Sequence, residues 1–251
     1  MTNIFTTLFA LLFMTQLVIG QSREREDLNT IAESKLSLGF KIGPSFALGD
    51  FGEIDINNEK AGLAKTGIQL NANLSYLITS SFYLIVDLGY SSNPLDEDEL
   101  IIPFRNALPS SVSVSATSKS WNSKTLNVGV GTRTAIDAKT YFLTKFGLGL
   151  HNMAYPSTTI TLSNGQVTQL INQSSSTANT LNLNLGATIM TQINQTTYFT
   201  IGFDYIRAVQ DFEDIAISST INGSSAGPTE FADYSQSIET ISITIGINIK
   251  I

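Results

Sequence analysis

Along most of this chain hydrophobic and polar residues alternate one for one. The clearest run is ETISITIGINIKI, where every second residue from Ile241 to Ile251 is isoleucine. Between them stand Ser242, Thr244, Gly246, Asn248 and Lys250. A strict period of two marks a strand whose two faces meet different surroundings. The same pattern occurs seven more times. Its apolar sets are Leu36, Leu38, Phe40, Ile42; Ile68, Leu70, Ala72, Leu74, Tyr76; and Phe82, Leu84, Val86, Leu88, Tyr90. Next come Leu126, Val128, Val130; Phe142, Phe146, Leu148, Leu150; Leu181, Leu183, Leu185, Ala187, Ile189; and Phe199, Ile201, Phe203, Tyr205. Eight strands are expected.

The connections alternate in length. Short turns fall at Thr79-Ser80-Ser81, Asp137-Ala138-Lys139 and Asn194-Gln195-Thr196, and long ones run about 47–66, 91–121, 152–178 and 208–236. Each short turn precedes an aromatic pair: Phe82-Tyr83, Tyr141-Phe142, Tyr198-Phe199. One structural unit therefore recurs along the chain. The long loops carry Asn164-Gly165 and Asn222-Gly223, dipeptides that favour hairpin turns, so some strands should continue past the main sheet.

Composition then decides which face looks outward. The chain is 42% hydrophobic yet only 14% charged, where an average soluble domain has about a quarter charged residues. The strand charges Lys41, Asp87, Arg133, Lys145, Asp204 and Lys250 share the non-apolar parity, and Arg207 and Glu239 are the first on the other. Between them lie Gly39, Gly43, Gly67, Gly129, Gly131, Gly147, Gly149, Gly186, Gly202 and Gly246, with Asn, Ser and Thr. A solvated surface would carry many Lys and Glu. Small residues suit the crowded interior of an eight-stranded barrel, which leaves the Leu, Ile and Phe of the other face to lipid. The fold expected is all-β: a closed antiparallel up-and-down eight-stranded transmembrane β-barrel with short periplasmic turns and long extracellular loops. The aromatic pairs would form a girdle at the membrane interface.

These features resemble the small eight-stranded outer-membrane β-barrel proteins, often called porin-like, over about 36–251. GFKIGPSFALGDFG resembles that family's first strand and loop entry. TIGINIKI is similar to the C-terminal signal read by the barrel-assembly machinery: Thr244, Gly246, Ile249 and Ile251, with isoleucine where the family commonly ends in an aromatic residue. The resemblance implies the outer membrane of a Gram-negative bacterium, reached by signal-peptide-dependent export. It also implies outer-membrane lipid and the assembly machinery as partners. The N-terminus fits, with an apolar core from about Leu8 to Ile19 before Gly20 and Gln21. The expected division is a signal peptide at 1–20, a periplasmic lead-in at 21–35 and the barrel at 36–251.

Candidate chemistry is sparse. There is no cysteine, which removes disulfides and thiol chemistry. The net charge is -7 without a basic patch, so nucleic acid is not an expected partner. Lys41, Asp87, Arg133, Lys145 and Asp204 should meet in one middle layer of the lumen, read as a plug of paired charges or as an ion pathway. The plug is favoured, because an unpaired buried charge costs so much. His151, the one histidine, should point into the lumen near the outer rim. It reads as a hydrogen-bonding residue, or as a general base if Ser and Asp stand within reach. Asp96 to Glu99, with Glu53, Asp55, Asp211, Glu213 and Asp214, reads as an acidic rim without calcium-loop spacing. No cofactor, metal or catalytic residue is assigned. The function expected is structural or interactive at the cell surface, through an unknown extracellular ligand or partner. A small porin for ions or polar solutes is the alternative, and an outer-membrane lipid-modifying enzyme the third reading.

Overall fold

A computed structural model describes residues 35–55 and 58–251. The expected signal peptide, and the lead-in up to 34, lie outside the described residues. The chain runs β1 (Leu36–Leu48), a helical turn α1 (Gly49–Gly52), β2 (Gly67–Leu77) and β3 (Phe82–Asn93). Two more helical turns, α2 (Glu97–Leu100) and α3 (Ile102–Ala107), lead into β4 (Ser113–Ser118). There follow β5 (Trp121–Ala135), β6 (Thr140–Ala154), β7 (Thr158–Ser163), β8 (Thr168–Gln173) and β9 (Thr177–Gln192). The last are β10 (Thr197–Ile221), the short β11 (Ser224–Ser225) and β12 (Glu230–Lys250).

Eight of these strands are the staves of a closed barrel. Neighbours pair antiparallel in the order β1-β2-β3-β5-β6-β9-β10-β12, and β12 pairs back onto β1. Register places Ile245 opposite Ile42 on one side and Ile201 on the other, so apolar residues share the outer face all round. A closed ring has no edge, so the staves pair their backbones with one another all round, as hydrocarbon demands.

The barrel is inverted relative to a water-soluble one. Outward Leu88, Val128, Leu148, Leu181 and Ile245 are 54–73% exposed. Inward Asn71, Asn73, Asp87, Asn127, Asn184 and Thr244 are at most 8% exposed. From Ile241 to Ile251 the outer face is isoleucine without a break. At roughly 3.3 Å per residue and a tilt of about 40°, that run spans about 25 Å, the height of an apolar membrane band. Two hydroxyls within the belt, on Thr132 and Thr144, hydrogen-bond each other at 2.8 Å and are thereby satisfied without water.

The three short turns are built alike. Thr79, Asp137 and Asn194 each accept hydrogen bonds from backbone N–H groups two and three residues on, at 2.8–3.2 Å. Just before each turn the N–H of Ile78, Ile136 or Ile193 donates to the C=O of Phe82, Thr140 or Thr197. The recurring unit is thus an exposed isoleucine, a side-chain acceptor and an aromatic pair. The pair does not form a girdle as a whole. Phe82 and Phe199 point outward, while Tyr83 and Tyr198 are 5% and 1% exposed inside the lumen. Adjacent residues on a strand must face opposite ways, so an aromatic pair can give only one ring to the membrane.

Beyond the rim opposite these turns, the sheet continues past the barrel as a rim sheet. The upper part of β10 pairs β8, β8 pairs β7, and β7 pairs β4. The segment 208–236, expected as a long loop, is largely strand: β10 and β12 remain paired up to Ile217 and Glu230. Ser218, Ser219 and Thr220 carry no apolar alternation, which is why the sequence pattern ends before the strand does. A register shift between Phe212 and Ile215, with Asp214 at φ 56, bends this hairpin. The Asn-Gly pairs close both hairpin tips, with Gly165 and Gly223 at φ 86 and 83.

Candidate functional site

Buried side chains gather in the lumen at two levels. The lower layer is ionic. Lys145 Nζ lies 2.7 Å from Asp87 Oδ2 and 2.8 Å from Asp204 Oδ1, and Lys41 Nζ lies 3.6 Å from the other oxygen of Asp204. All four side chains are at most 7% exposed. Glycine makes the room: a Cβ on Gly186 would stand 2.5 Å from Lys145 Cε and 2.6 Å from Asp204 Oδ1. The quartet carries two positive and two negative charges, so it is neutral as a unit.

Arg133, expected in the same layer, is placed elsewhere. Its guanidinium carbon sits 3.7 Å above the Tyr141 ring, closer to the short turns. The cations paired with Asp87 and Asp204 are Lys145 and Lys41. Register separates them: Asp87 pairs with Asn127, six residues before Arg133 on β5, and Lys145 pairs with Gly131, two residues before it. Two cavities of about 30 Å³ each flank this region. One is lined by Lys41, Lys145, Tyr83 and Asn248, the other by Arg133, Tyr198 and Lys250. Each has room for about one water.

The upper layer is apolar, and the sequence did not announce it. Phe51, Trp121, Met153, Phe212, Ile215 and Ile238 pack into one buried cluster. Tyr155 and Tyr234 join it edge-on, at centroid distances of 5.0 Å to Trp121 and 5.4 Å to each other. The first loop is pulled into this cap. Trp121 Nε1 donates to Gly62 O at 2.9 Å, Tyr234 Oη to Ala61 O at 3.3 Å, and Gln236 Nε2 to Lys60 O at 3.2 Å. Asn93 Nδ2 donates to Ser45 O and Lys65 O, tying the loop base to β1 and β3. The available signal was the presence of large apolar residues, including the one tryptophan, within loops otherwise rich in Ser, Thr and Asn.

His151 lies beneath this cap at 1% exposure, and its Nε2 is hydrogen-bonded with Ser123 Oγ. The Nδ1 is buried without a hydrogen-bond partner, so the Ser-His contact lacks the orienting acceptor that an acyl-transfer triad uses. The site is sealed from both lipid and solvent. The acidic residues are distributed rather than gathered. Asp96 accepts from Glu99 N and pairs with Lys65 at 3.0 Å, a contact that raises the Lys65 pKa through its hydrogen bond. Glu53 accepts from the N–H groups of Ile54 and Asp55. Among the described residues no group of three or more His, Asp or Glu is placed to hold a metal ion.

The residues read as an assembly signal occupy both faces of β12. Thr244 is fully buried in the lumen, where its hydroxyl reaches Gly202 O at 3.5 Å. Gly246 lies where a side chain would run into the backbone of Phe40. Ile249 is half-buried on the outer wall, and Ile251, past the strand's last residue, is exposed.

No family model matches the chain, and no curated protein does. Among solved structures it is similar to Neisserial surface protein A, at 10% identity and a TM-score of 0.49, over 88% of this chain and 100% of that one. It is similar to Ail, the attachment invasion locus protein of Yersinia pestis, at 11% identity and 0.40, over 86% and 99%. Outer membrane protein AlkL matches at 9% identity and 0.42, over 90% and 95%. Identities this low bear on architecture alone, and no residue of the site is carried over from them.

Proposed function

We propose that this protein is an integral outer-membrane barrel whose lumen is shut and whose work is done at its outer surface, by the rim sheet and the loops around it. One observation carries the reading: two buried layers lie in the lumen, an ion quartet and an aromatic cap into which the first loop is hydrogen-bonded. A conducting pore needs a continuous polar path, and the cap interrupts it with Trp121, Phe212 and Phe51. The apolar outer belt supports residence in lipid. The alternation of tight turns and long excursions supports turns on the periplasmic side and the rim sheet outside the cell. The Ser123–His151 contact serves as an internal strut between β5 and β6 in this reading.

Planar-bilayer recording on the refolded protein tests it. The expected result is no steady conductance. A large, sustained ion current through the wild-type protein would replace this reading with that of a small porin. Protease added to intact cells should cut within 91–121 or 152–178 and spare epitopes inserted at Asp137 or Gln195; cutting at the turns instead would invert the orientation.

A further inference from the structure

The outer wall of the barrel is dented at Ala72. This small residue lies on the outward face of β2, between Leu70 and Leu74 on its own strand and in register with Phe40 on β1 and Leu88 on β3. Ile42, Tyr90, Ile245 and Ile247 stand around it as walls, and the groove has a volume of about 540 Å³, the size of a small-ligand cleft. Its outward side chains are apolar but for the Tyr90 hydroxyl.

A cation stands above the groove. Registered partners climb from stave to stave: Ala72 pairs Leu88 and Leu88 pairs Leu126, yet Leu126 is farther along its strand from the short turn at Asp137 than Ala72 is from the one at Thr79. With strands about 4.8 Å apart, rising about 3.3 Å per residue and tilted about 40°, the membrane normal through Ala72 passes Tyr90 and comes level with Lys124 roughly 11 Å farther out. Lys124 is exposed and pairs in register with Tyr90 and Asn152. Among the described residues no carboxylate forms an ion pair with it. Polar groups share its level. The Tyr90 hydroxyl donates to Asn122 Oδ1 at 2.9 Å, and Asn152 Nδ2 donates to Asn179 Oδ1 at 2.8 Å. The groove therefore lies at the depth of the apolar belt, and Lys124 at its polar border.

We infer that the groove at Ala72 holds one acyl chain of an anionic membrane phospholipid, whose phosphate rests against Lys124. In hydrocarbon no hydrophobic gain drives a chain onto the wall, so retention depends on packing. A chain in the groove meets side chains below it and on either flank, where a chain on the even wall meets them on one side, and each contact adds dispersion energy. Lys124 selects the head. Its stem lies along the wall and its ammonium reaches headgroup level, where a phosphate without a compensating ammonium is the complement. The leaflet follows the orientation proposed above, but the site does not depend on it.

The test counts the lipid that stays on the refolded protein after release from nanodiscs of phosphatidylglycerol and phosphatidylcholine in equal amounts, by native mass spectrometry. One phosphatidylglycerol should remain, in about fivefold preference over phosphatidylcholine. Ala72→Phe and the milder Ala72→Leu fill the groove with apolar bulk, and should lose that lipid while heat-modifiable migration stays normal. Val128→Phe adds bulk elsewhere on the outer face, where Val128 is 61% exposed, and should keep the lipid. Lys124→Gln should keep a lipid and erase the preference. Lipid retention that both Ala72 variants leave unchanged, or that Val128→Phe removes equally, overturns the proposal. So does a wild type that retains no lipid or shows no preference, or a preference that survives Lys124→Gln. If the protein instead forms a dimer that Ala72→Phe abolishes, with no lipid retained, the occupant is a second copy of this chain and the lipid assignment is wrong. None of these results bears on conductance, so the closed-lumen reading stands or falls separately.

Discussion

Lys145 is the residue on which the lumen's electrostatics turn, and Lys145→Met is the perturbation that tests them. Its ammonium bridges Asp87 and Asp204 at 2.7 and 2.8 Å with 5% of the side chain exposed. Methionine keeps the bulk and removes the charge. Asp87 then loses its cation, while Asp204 keeps only Lys41 at 3.6 Å. Breaking a buried pair by removing one partner costs about 3–5 kcal/mol, since the remaining charge is left unsolvated. The adjoining cavity has space for about one water, which can soften the loss, so the lower half of that range is expected. Asp87→Asn combined with Lys145→Met leaves the Lys41–Asp204 pair alone and neutral. It should recover most of the stability, to within about 1–2 kcal/mol of wild type. The two changes should therefore be strongly non-additive. Reversible urea unfolding in lipid vesicles reads this directly, with the single tryptophan, Trp121, as reporter because it is 2% exposed in the folded cap. If Lys145→Met unfolds within about 0.5 kcal/mol of wild type, the quartet is hydrated and the ionic closure is not a closure.

Other consequences are narrower. Gly186→Ala should cost about 1–3 kcal/mol by overpacking, because its Cβ meets Lys145 Cε and Asp204 Oδ1, and Lys145→Ala should relieve part of that cost in the same unfolding assay. Ile245→Lys puts a charge on the middle of the lipid face and should cost about 2–4 kcal/mol, while Ile251→Lys at the belt's edge should cost little. Heat-modifiable gel migration after refolding into vesicles gives the folded fraction, and equal folding of the two variants would deny that the outer face meets lipid. Asp137 has its pKa lowered chiefly by the Lys139 N–H, helped by Thr140, so its turn contacts are stabilising above the ordinary carboxylate range and are lost as pH falls through the depressed value. An NMR titration should therefore show the Asp137 carboxyl and the Lys139 amide shifting together below the usual carboxylate midpoint; a midpoint at or above it would mean that the turn is not capped this way.

What could be read from the sequence divides along a physical line. Period two is a local property, imposed on each stave by the contrast between lipid and lumen, so the eight barrel strands and their lipid face were legible from Leu36 to Ile247. The inward side of that contrast says less. Lys41, Asp87, Lys145 and Asp204 could be assigned to the lumen by parity, yet pairing depends on register across strands, which parity does not contain; Arg133 has the right parity and a different neighbour. The rim sheet carried a weaker contrast: Ile160 and Leu162 alternate with Thr on a β7 of only six residues, and on upper β10 the buried face mixes Gln210 with Ala208 and Phe212. The cap was hidden for the opposite reason. Its residues come from five separated places, Phe51, Trp121, Tyr155, Phe212 and Tyr234, and only closure of the ring gathers them. A barrel that must be apolar outside has no apolar core of its own within the membrane. This chain builds a small one above the lumen instead, at the point where β5, β6, β10 and β12 leave the wall. The same step fixes the first loop over the polar interior. Trp121→Ala is therefore expected to do more than leave a cavity. It removes the donor to Gly62 as well, and should loosen the first loop before the barrel itself unfolds.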